Sequence, residues 1–511
     1  MWSNTTYLLD ENIDVDNIWY SNYLPGVSVD WVGDGTILRT IRLSTAAGGG
    51  GGVQRLNWDG TVTWDFRYNT NGVLSHHDIK MLPNGNVLLI AWETKTYDES
   101  IAAGKDPEST LIIGLNPDHI IEVKPTGPTT GDIVWERHVW DHLIQDYDPS
   151  KENYGVVKEH PELIDINYAP YRGVDWLHAN SIDYNENLDQ ILLSVRNFNE
   201  IWIIDHSTTT AEAASHTGGN SGKGGDILYR WGNPQTYKRG TSNDQKLFLQ
   251  HDATWIKSDY PGEGDILIYN NGNNSKTSVD EITPPKNESS EYYIETDSAY
   301  GPTETTWNYT SAIIAASQYG GAERLPNGNT LITNGVSGYI FQINQEKLIC
   351  WSYPLNAQIF KAVYVPPKEL SDEPDLYCEG SLKWSNVNGG TTLDGYFDVK
   401  NIGANDSLLN WKIISYPDWG TWYFNPEYGE NLTPQYGPFT VHVSVIPPDE
   451  KNKEFEGYIR IIRQEDQEDF SVIPVYVKTS RQKTIWITLF NFFESHQNLF
   501  QLLKKCLNIS R

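Results

Sequence analysis

The sequence has almost no cysteine: Cys350, Cys378 and Cys506 are the three in 511 residues. Three cysteines provide neither a disulfide framework nor the ligand spacing of a zinc site, and we expect no bridge between Cys350 and Cys378. Basic residues are also scarce, since 38 lysines and arginines stand against 67 acidic residues and the net charge is -29. This charge argues against nucleic acid as a partner. An anionic ligand could bind only where a local basic group overrides the general field.

Long apolar runs are lacking as well. No stretch of the sequence reaches the roughly 20 apolar residues that a membrane-spanning helix needs, and no signal peptide is visible. Sequons for asparagine glycosylation are nevertheless frequent, and they include Asn4, Asn287, Asn308, Asn405 and Asn431. We therefore expect an extracytoplasmic protein, secreted or at the cell surface, whose export signal is missing from this chain.

Aromatic residues and turn formers are abundant, with 19 Trp and 30 Tyr, which is typical of an all-β protein. Five Gly/Asn/Asp turns separate a short strand from an apolar strand, which is a hairpin signature. They lie at Gly33–Thr36, Pro83–Asn86, Tyr184–Asp189, Pro261–Asp265 and Pro326–Asn329. A second strand pair ending in an aromatic residue follows each hairpin. Four strands repeated every 40–50 residues or so predict the blades of a propeller.

The repeat predicts a six-bladed β-propeller whose sixth blade is closed by both ends of the chain. Residues 6–21 would supply its outer strands and Phe360–Pro367 its inner strand, which leaves no open sheet edge. The polar insert Asp141–Gly173 is expected to be a loop that covers one face. Alternating strands near the C-terminus indicate an immunoglobulin-like β-sandwich. The predicted domains are 1–368 for the propeller, 369–378 for a linker, 379–480 for the Ig-like sandwich and 481–511 for a short amphipathic tail.

Three of the hairpins carry a histidine where the first strand begins: His77, His178 and His251. In an antiparallel hairpin, this position faces the residue that ends the second strand. The predicted facing residues are Trp92 and Glu93 for His77, Arg196 for His178, Asn270 and Asn271 for His251, and Arg42 in the first hairpin. Because a propeller brings these positions to one end of its central channel, we expect the side chains to converge on a single site.

The remaining histidines and the glycine run receive simpler interpretations. His76 is expected to be a neighbour of His77 rather than a second catalytic group. The others are predicted to lie at the surface or in outer loops: His138, His142, His160, His206 and His216. Zinc held by the three channel histidines is an alternative that the arginines at the same rim disfavour. The run Gly48–Gly52 lacks the Lys-Ser/Thr of a phosphate loop.

The phrases HHDIKMLPNGNVLL, WLHANSIDYNENLDQILLSVRNFNEIWIID and RLPNGNTLITNG resemble the bacterial and archaeal arylsulfate sulfotransferases over about residues 5–365. The resemblance implies a six-bladed propeller, usually exported, that moves a sulfuryl group between phenols without a nucleotide sulfate donor or another cofactor. It matches His178 and His251 to channel histidines and Arg196 to the arginine of an S-x-R phrase.

The sequence departs from this family at two places. The histidine of a late blade, which takes the sulfuryl group in the family, has no counterpart between Trp307 and Gly335. The hairpin there begins SQYGGAERL, near Gly320. Asn273 and Asn274 stand where a further arginine is expected. These departures leave an alternative open: a non-catalytic extracellular propeller that binds sulfated or phenolic ligands, or a surface protein partner.

For an enzyme, the expected partners are a small aryl sulfate and a phenol, without nucleic acid. One of His77, His178 and His251 would be the nucleophile and another the acid or base. Arg196 and Arg42 would clamp the sulfonate oxygens. The other predicted substrate-binding residues are Asn180, Asn270, Asn271 and Glu93. The C-terminal region is similar to sandwich domains of archaeal surface proteins, which implies association with the cell surface, whereas the sequence does not indicate an oligomeric state.

Overall fold

The computed structural model describes residues 3–33, 35–43, 49–168, 173–272, 277–355, 357–366, 374–403, 407–466 and 469–480. The fold is all-β, as predicted, with 47% of residues in strands and 7% in helices. The chain divides into two compact units, residues 1–365 and 366–511. None of the helices within the described ranges is long and apolar enough to cross a bilayer.

The first unit opens with a two-stranded sheet and continues with five four-stranded antiparallel sheets, in each of which consecutive strands pair. The two-stranded sheet comprises β1 (Thr5–Leu9) and β2 (Val15–Tyr20). The first four-stranded sheet comprises β3 (Pro25–Trp31), β4 (Ile37–Arg42), β5 (Gly51–Leu56) and β6 (Val62–Arg67). The second comprises β7 (Val73–Met81), β8 (Val87–Glu93), β9 (Asp118–Gly127) and β10 (Thr130–His138), with α1 (Tyr97–Ala102) between β8 and β9.

Two short parallel strands, β11 (Leu143–Ile144) and β12 (Ile164–Asp165), precede the remaining three sheets. The third sheet comprises β13 (Ala179–Asn185), β14 (Gln190–Val195), β15 (Glu200–Asp205) and β16 (Ile227–Trp231), with α2 (Thr210–Ala213) before β16. The fourth comprises β17 (His251–Trp255), β18 (Ile266–Asn270), β19 (Ser278–Ile282) and β20 (Trp307–Thr310). The fifth comprises β21 (Gly321–Arg324), β22 (Thr330–Asn334), β23 (Tyr339–Ile343) and β24 (Ile349–Pro354).

All five predicted turns fall at the junction between the first and second strand of a four-stranded sheet, so the hairpin repeat is confirmed. The first strands of successive sheets contact each other, β3 with β7, β7 with β13, β13 with β17, and β17 with β21. In each step a carboxylate of one first strand accepts a hydrogen bond from a backbone N–H of the next. These pairs are Asp30 with Met81, Asp78 with Ile182, Asp183 with Trp255, and Asp252 with Ala322.

The β1–β2 sheet is hydrogen-bonded to both the fifth and the first four-stranded sheets. The indole of Trp351 donates to the carbonyl of Glu11 over 2.7 Å, and the indole of Trp19 donates to the carbonyl of Asn57 over 2.8 Å. A strand was predicted at Phe360–Pro367. This prediction is wrong for the described residues of the segment, because residues 357–366 form no strand. The six-blade count therefore stays a prediction.

The insert predicted as a covering loop contributes to the largest hydrophobic core of the first unit. Leu143, Ile144, Val157 and Ile164 are buried there, with side chains of the second and third sheets. In the described residues of the insert, 141–168 and 173, helical structure is limited to short 3-10 turns. The six 3-10 turns of the described chain are Val139–His142, Val157–Glu159, Arg196–Phe198, Pro234–Tyr237, Ala312–Ile314 and Pro434–Tyr436.

The second unit contains two sheets around one hydrophobic core. Its strands are β25 (Leu376–Glu379), β26 (Leu382–Val387), β27 (Leu393–Asn401), β28 (Leu409–Ser415), β29 (Thr421–Asn425), β30 (Tyr428–Leu432), β31 (Phe439–Ile446), β32 (Glu454–Arg463) and β33 (Phe470–Thr479). One sheet has the order β25-β27-β31-β29 and the other β26-β33-β32-β28-β30. β25 begins at Leu376, inside the predicted linker 369–378, so the linker ends earlier in the sequence than predicted. The predicted tail 481–511 lies outside the described residues.

Candidate functional site

His77, His178 and His251 come from three different sheets and meet in one place, which we call the histidine centre. The rings of His77 and His178 are in edge contact, with centroids 4.5 Å apart. His77 and His251 both pack against the ring of Phe360, at centroid distances of 6.3 and 6.1 Å. The convergence predicted from the hairpins is therefore present in the structure.

Local irregularities in the first strands place these side chains. The pairing of β7, β13 and β17 with their partners shifts at the positions next to the three histidines. His77 and His178 adopt left-handed backbone angles, with φ of 56° and 55°. Such angles are uncommon for residues other than glycine and cluster at functional sites. β-Bulges similarly re-aim side chains next to active sites.

The predicted facing residue is correct for the hairpin of His178. In the hairpins of His77 and His251, the predicted residues pair with other positions. The amide of Arg196 donates to the carbonyl of His178 over 3.2 Å, as expected. Trp92 and Glu93 instead pair with Leu74 and Val73, because the bulge in β7 moves His77 out of regular register. His251 pairs with Tyr269 rather than Asn270.

His178 is the ring of the centre that solvent reaches best. Its side chain is 16% exposed, whereas His77 and His251 are only 3% and 2% exposed. Its Nδ1 forms a short hydrogen bond with the carboxylate of Asp175. Since Nδ1 donates to this carboxylate, the Nε2 lone pair of the neutral ring is left for chemistry. Asp175 also offsets any positive charge that develops on the ring.

His77 lies at the end of a buried chain of hydrogen bonds. Asp118 accepts from Nε2 of His76 over 2.8 Å, and Nδ1 of His76 lies 2.8 Å from Nδ1 of His77. His76 is in addition stacked on Trp92, with centroids 4.1 Å apart. Burial, with the charges of His178 and His76, lowers the pKa of His77 well below its ordinary value. His77 is therefore a neutral ring whose position His76 sets.

His251 is held through both ring nitrogens. Its Nδ1 lies 2.7 Å from Oδ1 of Asn271 and its Nε2 accepts from the amide of Tyr319 over 3.3 Å. Burial lowers the pKa of His251 to about 3, with the charge of Arg196 acting in the same direction and the hydrogen bond to Asn271 opposing it. Because both nitrogens have protein partners, the three histidines do not present free nitrogens to a shared zinc ion.

Arg196 supplies the positive charge of the centre. It follows β14 directly, and its Nη1 donates to Oδ1 of Asn197 over 3.0 Å. Asn197 in turn donates to the carbonyl of Asp175 over 2.9 Å, which ties the arginine to the loop that holds the partner of His178. The charge of Arg196 lowers the pKa of both His77 and His251.

Tyr319 and Phe360 form an aromatic wall beside the histidines. Their ring centroids are 6.0 Å apart, and Tyr319 lies 6.2 Å from His251. Tyr319 precedes β21 with a left-handed φ of 59°, much as His178 precedes β13. In the stretch where the late-blade histidine was sought, the fifth sheet thus brings a tyrosine to the centre.

Lys361 anchors the segment that carries Phe360. Its Nζ lies 3.0 Å from Asp78 and 2.7 Å from Asp252, which belong to the second and fourth sheets. Burial alone would lower the pKa of Lys361, but the charges of Asp252 and Asp78 raise it. This buried ion-paired group was not predicted. The recurring His-Asp dipeptide at 77–78 and 251–252 is the signal that could have drawn attention to the two carboxylates.

Several of the predicted substrate-binding side chains form hydrogen bonds with other parts of the protein. Nδ2 of Asn180 donates to the carbonyl of Gln250 over 2.8 Å, which joins the third sheet to the strand leading into the fourth. Nδ2 of Asn270 donates to the carbonyl of Lys246 and to Asp280, each over 3.0 Å. Both amides therefore hold parts of the fold together, and their role as donors to a sulfonate stays a prediction. Asn271 contacts the centre, but as the partner of His251.

Glu93 and Arg42 also differ from the prediction. Glu93 forms ion pairs with Lys95 at 2.9 Å and His138 at 3.2 Å. The guanidinium of Arg42 lies against Gly49, where an added Cβ would approach Nη2 to 2.3 Å. A Cβ on Gly50 would lie 1.9 Å from the carbonyl oxygen of Ser75, so this glycine permits close approach of two backbones. The described part of the glycine run thus has a packing role.

Comparison with known proteins gives one family match, to Arylsulfotransferase (ASST), over residues 12–360. No curated protein matches the chain. A solved structure from Bacteroides caccae, described as a protein of unknown function, is 13% identical and covers 70% of this chain and 93% of its own (TM-score 0.38). A streptogramin B lyase is 13% identical and covers 70% of this chain and 78% of its own, with a TM-score of 0.34. A virginiamycin B lyase from Staphylococcus aureus is 12% identical and covers 86% of this chain and 98% of its own, with a TM-score of 0.29. The family match spans every residue of the histidine centre.

Proposed function

Because this chain belongs to the arylsulfotransferase family, we propose that it transfers a sulfuryl group from an aryl sulfate to a phenol through His178. The family implies aryl sulfates and phenols as the substrates. No nucleotide sulfate donor takes part in the proposed reaction. The observation that carries the proposal is the convergence of His77, His178 and His251 with Asp175 bonded to the one ring that solvent reaches.

His178 is proposed as the nucleophile because of its tautomer and its access. Asp175 holds the proton on Nδ1, so the Nε2 lone pair is available to attack sulfur. Nε2 of His251 already accepts a backbone hydrogen bond, and His77 is buried. Asp175 acts on the reaction through His178 and is therefore a positioning residue.

Arg196 is proposed to bind the sulfonate oxygens of the substrate. A guanidinium offers a planar fork of N–H donors, which suits an oxyanion better than a single ammonium does. Its backbone amide donates to the carbonyl of His178 over 3.2 Å, and its charge lowers the pKa of His77 and His251. In a protein of net charge -29, such a local positive group is what an anionic substrate requires.

The aromatic wall of Tyr319 and Phe360 is proposed to receive the aryl part of the substrate. Aromatic rings pack favourably edge to face or offset, at centroid distances of about 4.5–7 Å. Tyr319 is partly exposed and Phe360 is buried behind it. A phenyl ring bound against this wall would place its sulfate group toward the histidines.

The proposed reaction has two steps. In the first, Nε2 of His178 attacks sulfur, the bond from sulfur to the aryl oxygen breaks, and its electron pair leaves on the phenolate, which takes a proton from solvent. The sulfated ring keeps its Nδ1 proton, and Asp175 offsets its positive charge. In the second, the acceptor hydroxyl attacks sulfur, the N–S electron pair returns to Nε2, and the acceptor proton passes to solvent.

A 4-nitrophenyl sulfate assay with phenol as acceptor tests this function. We expect nitrophenol release that depends on phenol, loss of release in His178→Ala, and unchanged release in His442→Ala, a control in the second unit. Without phenol, peptide mass spectrometry should find one sulfuryl group on His178. Turnover by His178→Ala, or turnover of the wild type while His178 stays unmodified, would contradict the proposal.

A further inference from the structure

A second group of imidazoles and a carboxylate lies in the outer part of the first unit. Oδ1 of Asp226 is 2.7 Å from Nδ1 of His142 and 2.8 Å from Nδ1 of His216. One potential ligand atom from each residue lies within 4.8 Å of the other two. None of the three belongs to the histidine centre. The prediction that His142 lies at the surface is wrong, since it is fully buried.

The hydrogen bonds of His142 leave one contact unexplained without a further positive charge. Nε2 of His142 lies 2.8 Å from the carbonyl oxygen of Ala213, which can only accept, so Nε2 carries the proton. Nδ1 of the same ring faces Oδ1 of Asp226 at 2.7 Å, and this contact is attractive only when a proton or a metal ion lies between the two atoms. Two lone pairs facing each other at 2.7 Å repel, whereas a cation placed between them would attract both.

This arrangement is the one that metal-bound histidines commonly adopt. A ligating histidine usually donates its other N–H to a carbonyl or carboxylate, which fixes the ring and aims the free nitrogen at the ion. The backbone here is shaped to allow it: a Cβ on Gly225 would lie 2.6 Å from Nε2 of His142 and 1.9 Å from the carbonyl oxygen of Ala213. The glycine next to Asp226 is therefore needed for the contact.

Burial and access both suit an ion. His142 is 0% exposed and Asp226 is 6% exposed, while the side chain of His216 is 58% exposed and gives a route from solvent. Arg137 brings a positive charge nearby, and the charges of Asp226 and Asp141 act on it. The carboxylates of Asp226 and Asp141 and the guanidinium of Arg137 together leave a net negative charge to receive a cation.

We propose that His142, His216 and Asp226 bind a divalent transition-metal ion of the zinc type. Two imidazoles and one carboxylate are suitable protein ligands for zinc, with water in the remaining position. A tetrahedral site with bonds of about 2.0 Å separates ligand atoms by about 3.3 Å. Binding therefore needs the two contacts found here to open by roughly half an ångström each. The exposed ring of His216 can move away from Asp226, whereas the contact with His142 opens by a shift of the Asp226 carboxylate.

The ion would have a structural role, because its ligands come from separate segments. His142 ends the 3-10 turn Val139–His142 at the start of the insert, whereas His216 and Asp226 lie between α2 and β16. Metal binding would join these segments and stabilise the folded chain over the unfolded one. Zinc should consequently raise the melting temperature.

The test uses the full chain without an affinity tag, stripped with EDTA and dialysed free of chelator. We expect isothermal titration with ZnCl2 and elemental analysis to give about one zinc per chain, and Co2+ to produce the visible absorption of a tetrahedral site. His216→Ala, whose side chain is exposed, should keep its circular dichroism spectrum but bind zinc at least tenfold more weakly and lose the rise in melting temperature. Asp226→Asn should weaken zinc binding in the same way.

Two controls locate the ion. His160→Ala removes an exposed histidine of the insert, paired with Glu162, and His178→Ala removes a ring of the histidine centre. Both variants should bind zinc like the wild type. Less than about one-tenth of a zinc per wild-type chain, or equal affinity in His216→Ala and the wild type, would overturn the proposal. Loss of zinc from His178→Ala would also overturn it, because the ion would then lie at the other centre.

Discussion

The edge contact between the rings of His77 and His178, with planes at 66°, joins the second sheet to the third at the histidine centre. The two rings differ in their partners, since the ring of His76 contacts His77 and the carboxylate of Asp175 contacts His178. A positive charge on both rings at once would be repulsive. The pair therefore favours charge on the ring that Asp175 supports, and this asymmetry leads to the first prediction.

Asp175→Asn should lower kcat for sulfuryl transfer by about 10²- to 10⁴-fold, the usual range for losing the support of one acid–base group. KM for the aryl sulfate should change little, because Asp175 does not contact the substrate in the proposed scheme. The pH–rate profile should also shift, which a purely structural role would not cause. Asp148→Asn, an exposed carboxylate bound to Ser150, serves as the control. Wild-type kcat and an unshifted profile in Asp175→Asn would contradict the assigned role.

Arg196→Lys should reduce kcat/KM for the aryl sulfate by about 10- to 100-fold. The lysine keeps the positive charge but cannot donate two parallel hydrogen bonds to the sulfonate as a guanidinium does. A hydrogen bond to a charged group contributes about 1.5–3 kcal/mol, which sets the size of the expected loss. Steady-state kinetics with 4-nitrophenyl sulfate measures the effect, and Arg67→Lys, at a 55% exposed side chain, provides a matched control. Equal kinetics in the two variants would remove Arg196 from the sulfonate site.

His251 should make the folded protein less stable in acid. Its pKa is lowered from 6.5 to about 3 in the folded state, so between these values the unfolded chain binds a proton there that the folded chain does not. Stability then falls as the pH is lowered through this window, by up to about 1.4 kcal/mol per pH unit. In His251→Gln this contribution is gone, and urea unfolding at several pH values should show a shallower slope. An unchanged slope would mean that the ring is protonated in the fold.

Lys361→Met should destabilise the first unit by about 3–5 kcal/mol, because it leaves Asp78 and Asp252 buried without their cation. Lys257→Met is the comparison, since Lys257 pairs with Glu323 at 2.8 Å through a side chain that is 48% exposed. Pairs of that kind contribute about 0–1 kcal/mol. Denaturant unfolding of both variants measures the difference. Equal losses would contradict the prediction, because the Lys361 pairs would then contribute no more to stability than the surface pair of Lys257.

The repeated hairpins and the convergence of the histidines could be predicted because both follow from local sequence. Turn residues mark where strands reverse, and equivalent places in successive hairpins meet when the sheets stand side by side. His77, His178 and His251 were found in this way. Asp78 and Asp252 lie beside two of them, yet their link to the next sheet depends on packing that no single hairpin shows.

The partners of the histidines could not be predicted for two physical reasons. A bulge changes which residues face each other but has no signature in the sequence. Trp92 and Glu93 were therefore predicted opposite His77, although they pair with Leu74 and Val73, three and four residues before it. Contacts between residues far apart in the sequence, such as Phe360 with His77, depend on how the whole unit folds. The hydrogen bonds of Asn180 and Asn270 to backbone carbonyls could not be predicted either, because an amide binds a backbone carbonyl as readily as a ligand.

The position of Phe360 near the end of the first unit governs when the centre can form during synthesis. His77 and His251 each pack against this ring. The neighbouring Lys361 donates to the carboxylates of Asp78 and Asp252. A nascent chain released before residue 360 would contain every histidine of the centre and Tyr319, but it would lack Phe360 of the aromatic wall and the ion pairs of Lys361. Residues 360 and 361 follow the last strand of the five four-stranded sheets, so they are synthesised after all of these strands.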